Sequence, residues 1–166
     1  TGDSDSNVNN LLYIVNDDAG STGTTGLKIQ QDSTGSALTA IGAAGSGSAA
    51  GAVIKLQTAE TSNVDGDYIG RIEFNAPLDS SGSDAILTGA SIHAEAEENF
   101  SSTNNSTGLV FSTGTTTVPI ERMRITQDGY VGIGTTTPDA KLEVVGSFAA
   151  NGPSSTFVTF ADGDAT

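Results

Sequence analysis

The chain has one histidine, no cysteine and twenty acidic residues, so any chemistry it performs must come from carboxylates, hydroxyls or arginines. His93 and Glu95 lie two apart and could form half of an acid–base pair. A hydrolase also needs a nucleophile and oxyanion donors, and there is no G-x-S-x-G elbow. A solvated face on an alternating strand is the simpler expectation for His93. Paired carboxylates ~5 to 10 Å apart can cleave polysaccharide, but no Trp and only three Tyr are available to stack on sugars. D-S-D-S-N from Asp3 and V-D-G-D-Y from Val64 offer oxygen ligands for calcium, yet the first lacks the Gly and the distal Glu of a calcium-binding loop. Turn chemistry accounts for both, leaving only weak collection of divalent ions by an acidic chain. The expectation is no catalytic residue, no cofactor and no metal.

Arg122 and Arg124 are two of only six basic residues in a chain of formal charge -14. In a strand the side chains alternate between faces, so Met123 and Ile125 share one face and the two arginines the other. Glu121 then falls on the apolar side, where an unpaired carboxylate is expensive. It must either point outward at a local irregularity or meet an arginine. Glu121, Arg122, Arg124 and Asp128 are therefore candidates for ion pairs between subunits, a guanidinium being suited to grip a carboxylate through two parallel bonds.

The elements that position these residues read as short strands. Leu, Ile, Val and Phe make up only about a fifth of the chain, near the limit below which charged sequences stay disordered. The apolar residues nevertheless cluster in runs of strand type: L-L-Y-I-V from Leu11, L-K-I-Q from Leu27, A-V-I-K-L-Q from Ala52, Y-I-G-R-I-E-F from Tyr68 and A-I-L-T from Ala85. Turns rich in Gly, Ser, Thr, Asn and Asp separate them. Ser91 to Glu97 alternates, with Ile92, Ala94 and Ala96 opposite His93, Glu95 and Glu97, and so favours a strand over a helix. Asp128-Gly129 and Pro138-Asp139 mark turns, and Pro119 a strand entrance. Val131 and Ile133 face away from Gly132 and Gly134. Leu142 and Val144 face away from Lys141 and Glu143. Glycine in a strand usually marks a bend or the close approach of another backbone. A monomer so short of core finds its missing apolar partners in copies of itself.

The segment E-R-M-R-I-T-Q-D-G-Y-V-G-I-G-T-T-T-P-D-A-K-L-E-V-V-G, from Glu121 to Gly146, resembles a module that recurs in bacteriophage tail-fibre and tail-spike proteins. There E-R-M-R-I, then G-x-V-G-I-G-T-x-x-P, then K-L-x-V-x-G close a fibrous region. With Y-I-G-R-I-E-F and G-L-V-F-S-T upstream, the likeness extends back to about Val64. It implies an all-β, elongated homotrimeric fibre, a β-prism or intertwined shaft, with Met123, Ile125, Val131, Ile133, Leu142 and Val144 filling the trimer core. It also implies a virion structural protein outside the cell, partnered by other tail or fibre proteins, that positions receptor-binding parts during host attachment. Host glycan would be met through adjoining parts. In that family a self-cleaving chaperone domain often follows; nothing here resembles it, and no catalytic residue is carried over.

Three segments are expected: an acidic arm with a Gly/Ala/Ser-rich β segment over 1–63, the shaft or neck module over 64–147, and the start of a following β module over 148–166, where T-F-V-T-F supplies a strand. The recurrence of G-L-K-I, A-V-I-K-L and G-L-V-F hints at a repeated unit, although its spacing is irregular. The opening at Thr1 without Met suggests a piece of something longer. The scattered basic residues leave no patch for nucleic acid, and no apolar run is long enough to insert in a membrane. A carbohydrate-binding or depolymerising tail-spike head and a bacterial surface adhesin are the alternatives from other classes.

Overall fold

The computed structural model describes residues 27–30, 32, 34–42, 47, 51–75, 87–115 and 118–149. The chain divides into two units, Thr1–Ile54 and Lys55–Thr166. Within the first, Leu27 to Gln30 form no strand and Leu27 and Ile29 are exposed, against the expectation of a strand there. The Ala52 run is likewise irregular through Gln57. Among the described residues neither run pairs in a sheet, although Leu56 of the second lies close against Gly70, and a single extended segment is not stable alone. The runs at Leu11 and Thr156 and the closing segment 150–166 lie outside the described residues.

The second unit holds six strands: β1 Tyr68–Asn75, β2 Thr88–Ala96, β3 Thr107–Thr113, β4 Ile120–Ile125, β5 Val131–Ile133 and β6 Leu142–Val144. They form one sheet in the order β1-β2-β3-β4-β5-β6. Every neighbouring pair is antiparallel except β5 and β6, which run parallel. All-β architecture is thus as expected, and Ser91–Glu97 is a strand continuing into its loop. Among the described residues no helix is long and apolar enough to cross a membrane.

Register sorts the side chains into two unlike faces. One cross-strand row runs Ile72, Ile92, Phe111, Met123, Ile133, Val144, and the next runs Gly70, Ala94, Leu109, Ile125, Val131, Leu142. Directly opposed residues share a face and pack together, so these rows make an apolar surface that crosses the whole sheet. On the other face the central row is Arg71, His93, Val110, Arg124, Gly132, Glu143, flanked by Glu73, Ser91, Ser112 and Glu121.

Burial is distributed against the usual rule. A one-sided sheet ordinarily covers its apolar face and wets its polar one. Here Ser91, His93, Val110 and Ser112, all on the polar face, are buried. The apolar rows are covered only in part: Ile72, Leu109, Ile133 and Leu142 are exposed, Leu142 by 57%, while the other members are half-buried. Only Ala96 and Val110 are buried apolar side chains among the described residues.

The polar face is roofed by its own chain. Between β5 and β6 the backbone crosses above Gly132, where an added Cβ would lie 2.7 Å from the Thr135 carbonyl oxygen and 3.3 Å from Pro138 Cγ. Gly132 is therefore required by the chain's own crossover, which needs no second copy to explain it. Gly132→Ala should lower stability by about 1–3 kcal/mol through this clash; urea unfolding monitored by circular dichroism will measure it.

Candidate functional site

Arg124 is the centre of the polar face. A register shift between Phe111 and Ser112 aligns Met123 with Phe111 but Glu121, not Arg122, with Ser112. Such a bulge inserts one residue and re-aims its neighbours. It lifts Glu121 out of the apolar row that strict alternation would assign to it and sets its carboxylate beside Arg124. The local irregularity, one of the two ways to spare Glu121 an apolar burial, is the one the chain adopts.

Arg124 Nε donates to Glu121 Oε1 at 2.7 Å and Nη2 to Glu121 Oε2 at 2.9 Å, a two-bond fork. Nη2 also reaches Glu95 Oε1 at 3.2 Å and Nη1 reaches Glu97 Oε1 at 3.3 Å. The hydrogen bonds to Glu121 raise the guanidinium's pKa above its ordinary value; burial opposes this, and the charges of Glu121 and Glu95 add to it. Arg124 therefore stays charged at any workable pH. The clasp joins β2 and the residue after it to β4 across the intervening β3. Gly108 makes this possible, because a Cβ there would collide with the Glu97 carboxylate. The second Glu97 oxygen accepts the Gln127 backbone N–H at 2.7 Å, tying the clasp to the β4–β5 turn.

Beside it opens a cleft of about 350 Å³ with Asp65, Glu95, Glu97 and Asp128 in its wall. Its carboxylates are already engaged by Arg124 at Glu95 and Glu97. Among the described residues no group of three or more His, Asp or Glu is set to hold a metal ion. In V-D-G-D-Y, Asp67 Oδ2 accepts the Val64 N–H at 2.8 Å and Asp67 N–H returns to the Val64 carbonyl at 3.1 Å, the bonding of a turn. Asp3 lies outside the described residues.

The other expected site residues are placed as follows. Met123, Ile125, Val131, Ile133, Leu142 and Val144 all fall on the apolar face, in the two rows given above. Glu121 and Arg124 meet inside one chain. Arg122, left unpaired by the bulge, donates from Nε to Thr113 Oγ1 at 3.2 Å and so parts company with Arg124. Asp128 offers its backbone carbonyl to Lys141 Nζ at 2.9 Å.

His93 contradicts the solvated reading. It is 5% exposed, because the tyrosine ring of the neighbouring strand covers it: the Tyr68 and His93 centroids are 4.2 Å apart at 36°. Arg71 in turn sits over Tyr68, 5.5 Å from its centroid. The roles of Glu95 and Glu97 were also missed. Their alternation with His93 shows they share a face, but a partner two strands away depends on strand order, which no local pattern carries.

No known protein family matches the chain, and no curated protein matches it either.

Arg124→Met should cost about 3 kcal/mol, since it strands three partly buried carboxylates. Arg124→Lys should recover only part of that loss, lacking the planar fork, whereas Arg122→Lys should stay within about 0.5 kcal/mol of the parent. Thermal melts of the three variants supply the comparison.

Proposed function

We propose that the chain is a segment of the shaft or neck of a bacteriophage tail fibre or spike, a homotrimeric structural element that connects and orients receptor-binding parts during adsorption. It works in the virion, outside the cell, alongside other tail or fibre proteins, and catalyses no reaction. The observation that carries this reading is the apolar face, two cross-strand rows wide over all six strands and covered only in part among the described residues. A single chain with only two buried apolar side chains among its described residues cannot offset the entropy of ordering. Copies that bury these rows against each other supply the missing contacts, and closed symmetry leaves none exposed. The Glu121–Gly146 module, with its likeness to tail-fibre sequences, supports a count of three and a fibrous setting.

In this arrangement Met123, Ile125, Val131, Ile133, Leu142 and Val144 meet their counterparts at the axis. The polar face, with Arg124 and its carboxylates, turns outward. Arg122, exposed and without an ion pair among the described residues, remains the arginine free to reach a neighbouring chain.

Multi-angle light scattering on the purified chain should give three times the monomer mass at micromolar concentration. A stably folded monomer, or a closed dimer, would overturn the proposal. Ile133→Asp should abolish assembly, because it sets unpaired carboxylates in an apolar interface. Arg71→Ala, on the opposite face, should leave the mass unchanged.

A further inference from the structure

Away from the Arg124 clasp, the polar face contains a second cavity, of about 270 Å³, whose wall includes Tyr68, Arg71, Glu73, Ser91, His93 and Ser112. Three of these, Ser91, His93 and Ser112, are buried polar residues in a sheet that buries few residues of any kind. Neither ring nitrogen of His93 has a hydrogen-bond partner among the described residues. Glu95 Oε2 is 3.6 Å from Nε2, beyond bonding distance. Buried polar atoms in native proteins are nearly always paired, so an imidazole shielded in this way carries a desolvation penalty without return. What shields it is a surface group: Tyr68 is 49% exposed and is held by ring stacking and by Arg71.

We infer that this cavity binds a small neutral polyhydroxylated molecule, a polyol or a single sugar ring, which takes up the His93 ring nitrogens once the Tyr68 ring swings outward. The donor and acceptor balance sets the class. Arg71 is paired with Glu73, so this part of the wall presents no net charge, and the chain's charge of -14 repels anions. A cation needs acceptors alone, whereas Arg71 and an imidazole N–H are donors. Two serine hydroxyls that both donate and accept, beside the two ring nitrogens of an imidazole, make the pattern that vicinal hydroxyls answer. The volume lies just below the ~300 Å³ at which ordinary small-molecule sites begin, which suits one ring. The site is on the face opposite the apolar rows and does not depend on how, or whether, copies assemble.

The single histidine makes the test direct. The full ¹⁵N-labelled chain is titrated with myo-inositol and with methyl α-D-glucopyranoside into the tens of millimolar, while the His93 ring nitrogens and the Tyr68 ring protons are followed by NMR. Saturable, concerted movement of both sets is expected. Ser112→Ala should weaken the midpoint about three- to tenfold, as for one lost hydrogen bond. His93→Leu, which fills the same space without unpaired nitrogens, should fold and fail to bind. A response to inositol alone identifies a free polyol, and a response to the glucoside identifies a ring that can be carried on a longer glycan; either supports the inference. No saturable change in the folded parent, an equal response to sodium acetate, or undiminished binding by His93→Leu would overturn it.

Discussion

A sheet has two faces, and one chain of this composition can cover only one of them. Covering a face takes either bulky side chains that fold down on it or a connection that crosses it. This chain spends both on the polar side: Arg124 lies along its carboxylates, Tyr68 lies on His93, and the β5–β6 connection crosses above Gly132. The opposite face has no such roof over most of its length among the described residues: its Ile, Val, Leu, Phe and Met are half-buried or exposed, with Leu56 against Gly70 at one edge. Hydrophobic burial is the main favourable term in folding, so the largest reserve of unspent stabilisation lies on that open side.

The Arg124 clasp shows how the roofed face acquires order without an apolar core. Ion pairs taken out of water gain little net stability, because desolvation consumes much of the attraction. They are, however, demanding about geometry. The fork to Glu121 requires the bulge, the reach to Glu97 requires Gly108, and the contact with Glu95 requires β2 and β4 to flank β3 in this register. A slip by one residue would turn every apolar side chain of a strand to the wrong face. The clasp therefore contributes mainly to alignment, and the alignment keeps the two apolar rows continuous.

Much of this was legible along the chain, and the limits have physical causes. The strands from Tyr68 onward announce themselves by alternation, and the turn at Asp128-Gly129 by residue type, because both signals are local. The conflict at Glu121 was also visible, since a carboxylate on an apolar face has to be resolved somehow. Its resolution was not, because the bulge is a property of β3 and β4 together. Gly132 has the mark of a close approach, and the approaching backbone is that of Thr135 in the same chain. His93 departs from its expected solvated state because alternation shows which face a residue occupies and not what covers that face. The runs at Leu27 and Ala52 have strand composition but no paired strand among the described residues, and composition alone cannot supply one.

The two faces together make a division of labour. Along the apolar rows from Ile72 to Val144 and from Gly70 to Leu142 there is no ionisable residue. A partner seated there would strand no charge, although the chain carries -14 overall. Apart from Arg122, which the bulge turns toward Thr113, the charged groups of the sheet lie on the far side, already paired or open to solvent, where mutual repulsion between copies is weakened by distance and by salt. Attraction and repulsion are thus separated by the thickness of one sheet. In the proposed assembly that separation lets so acidic a chain keep an associating surface, with the polar cavities beside Arg124 and His93 on the face away from the apolar rows.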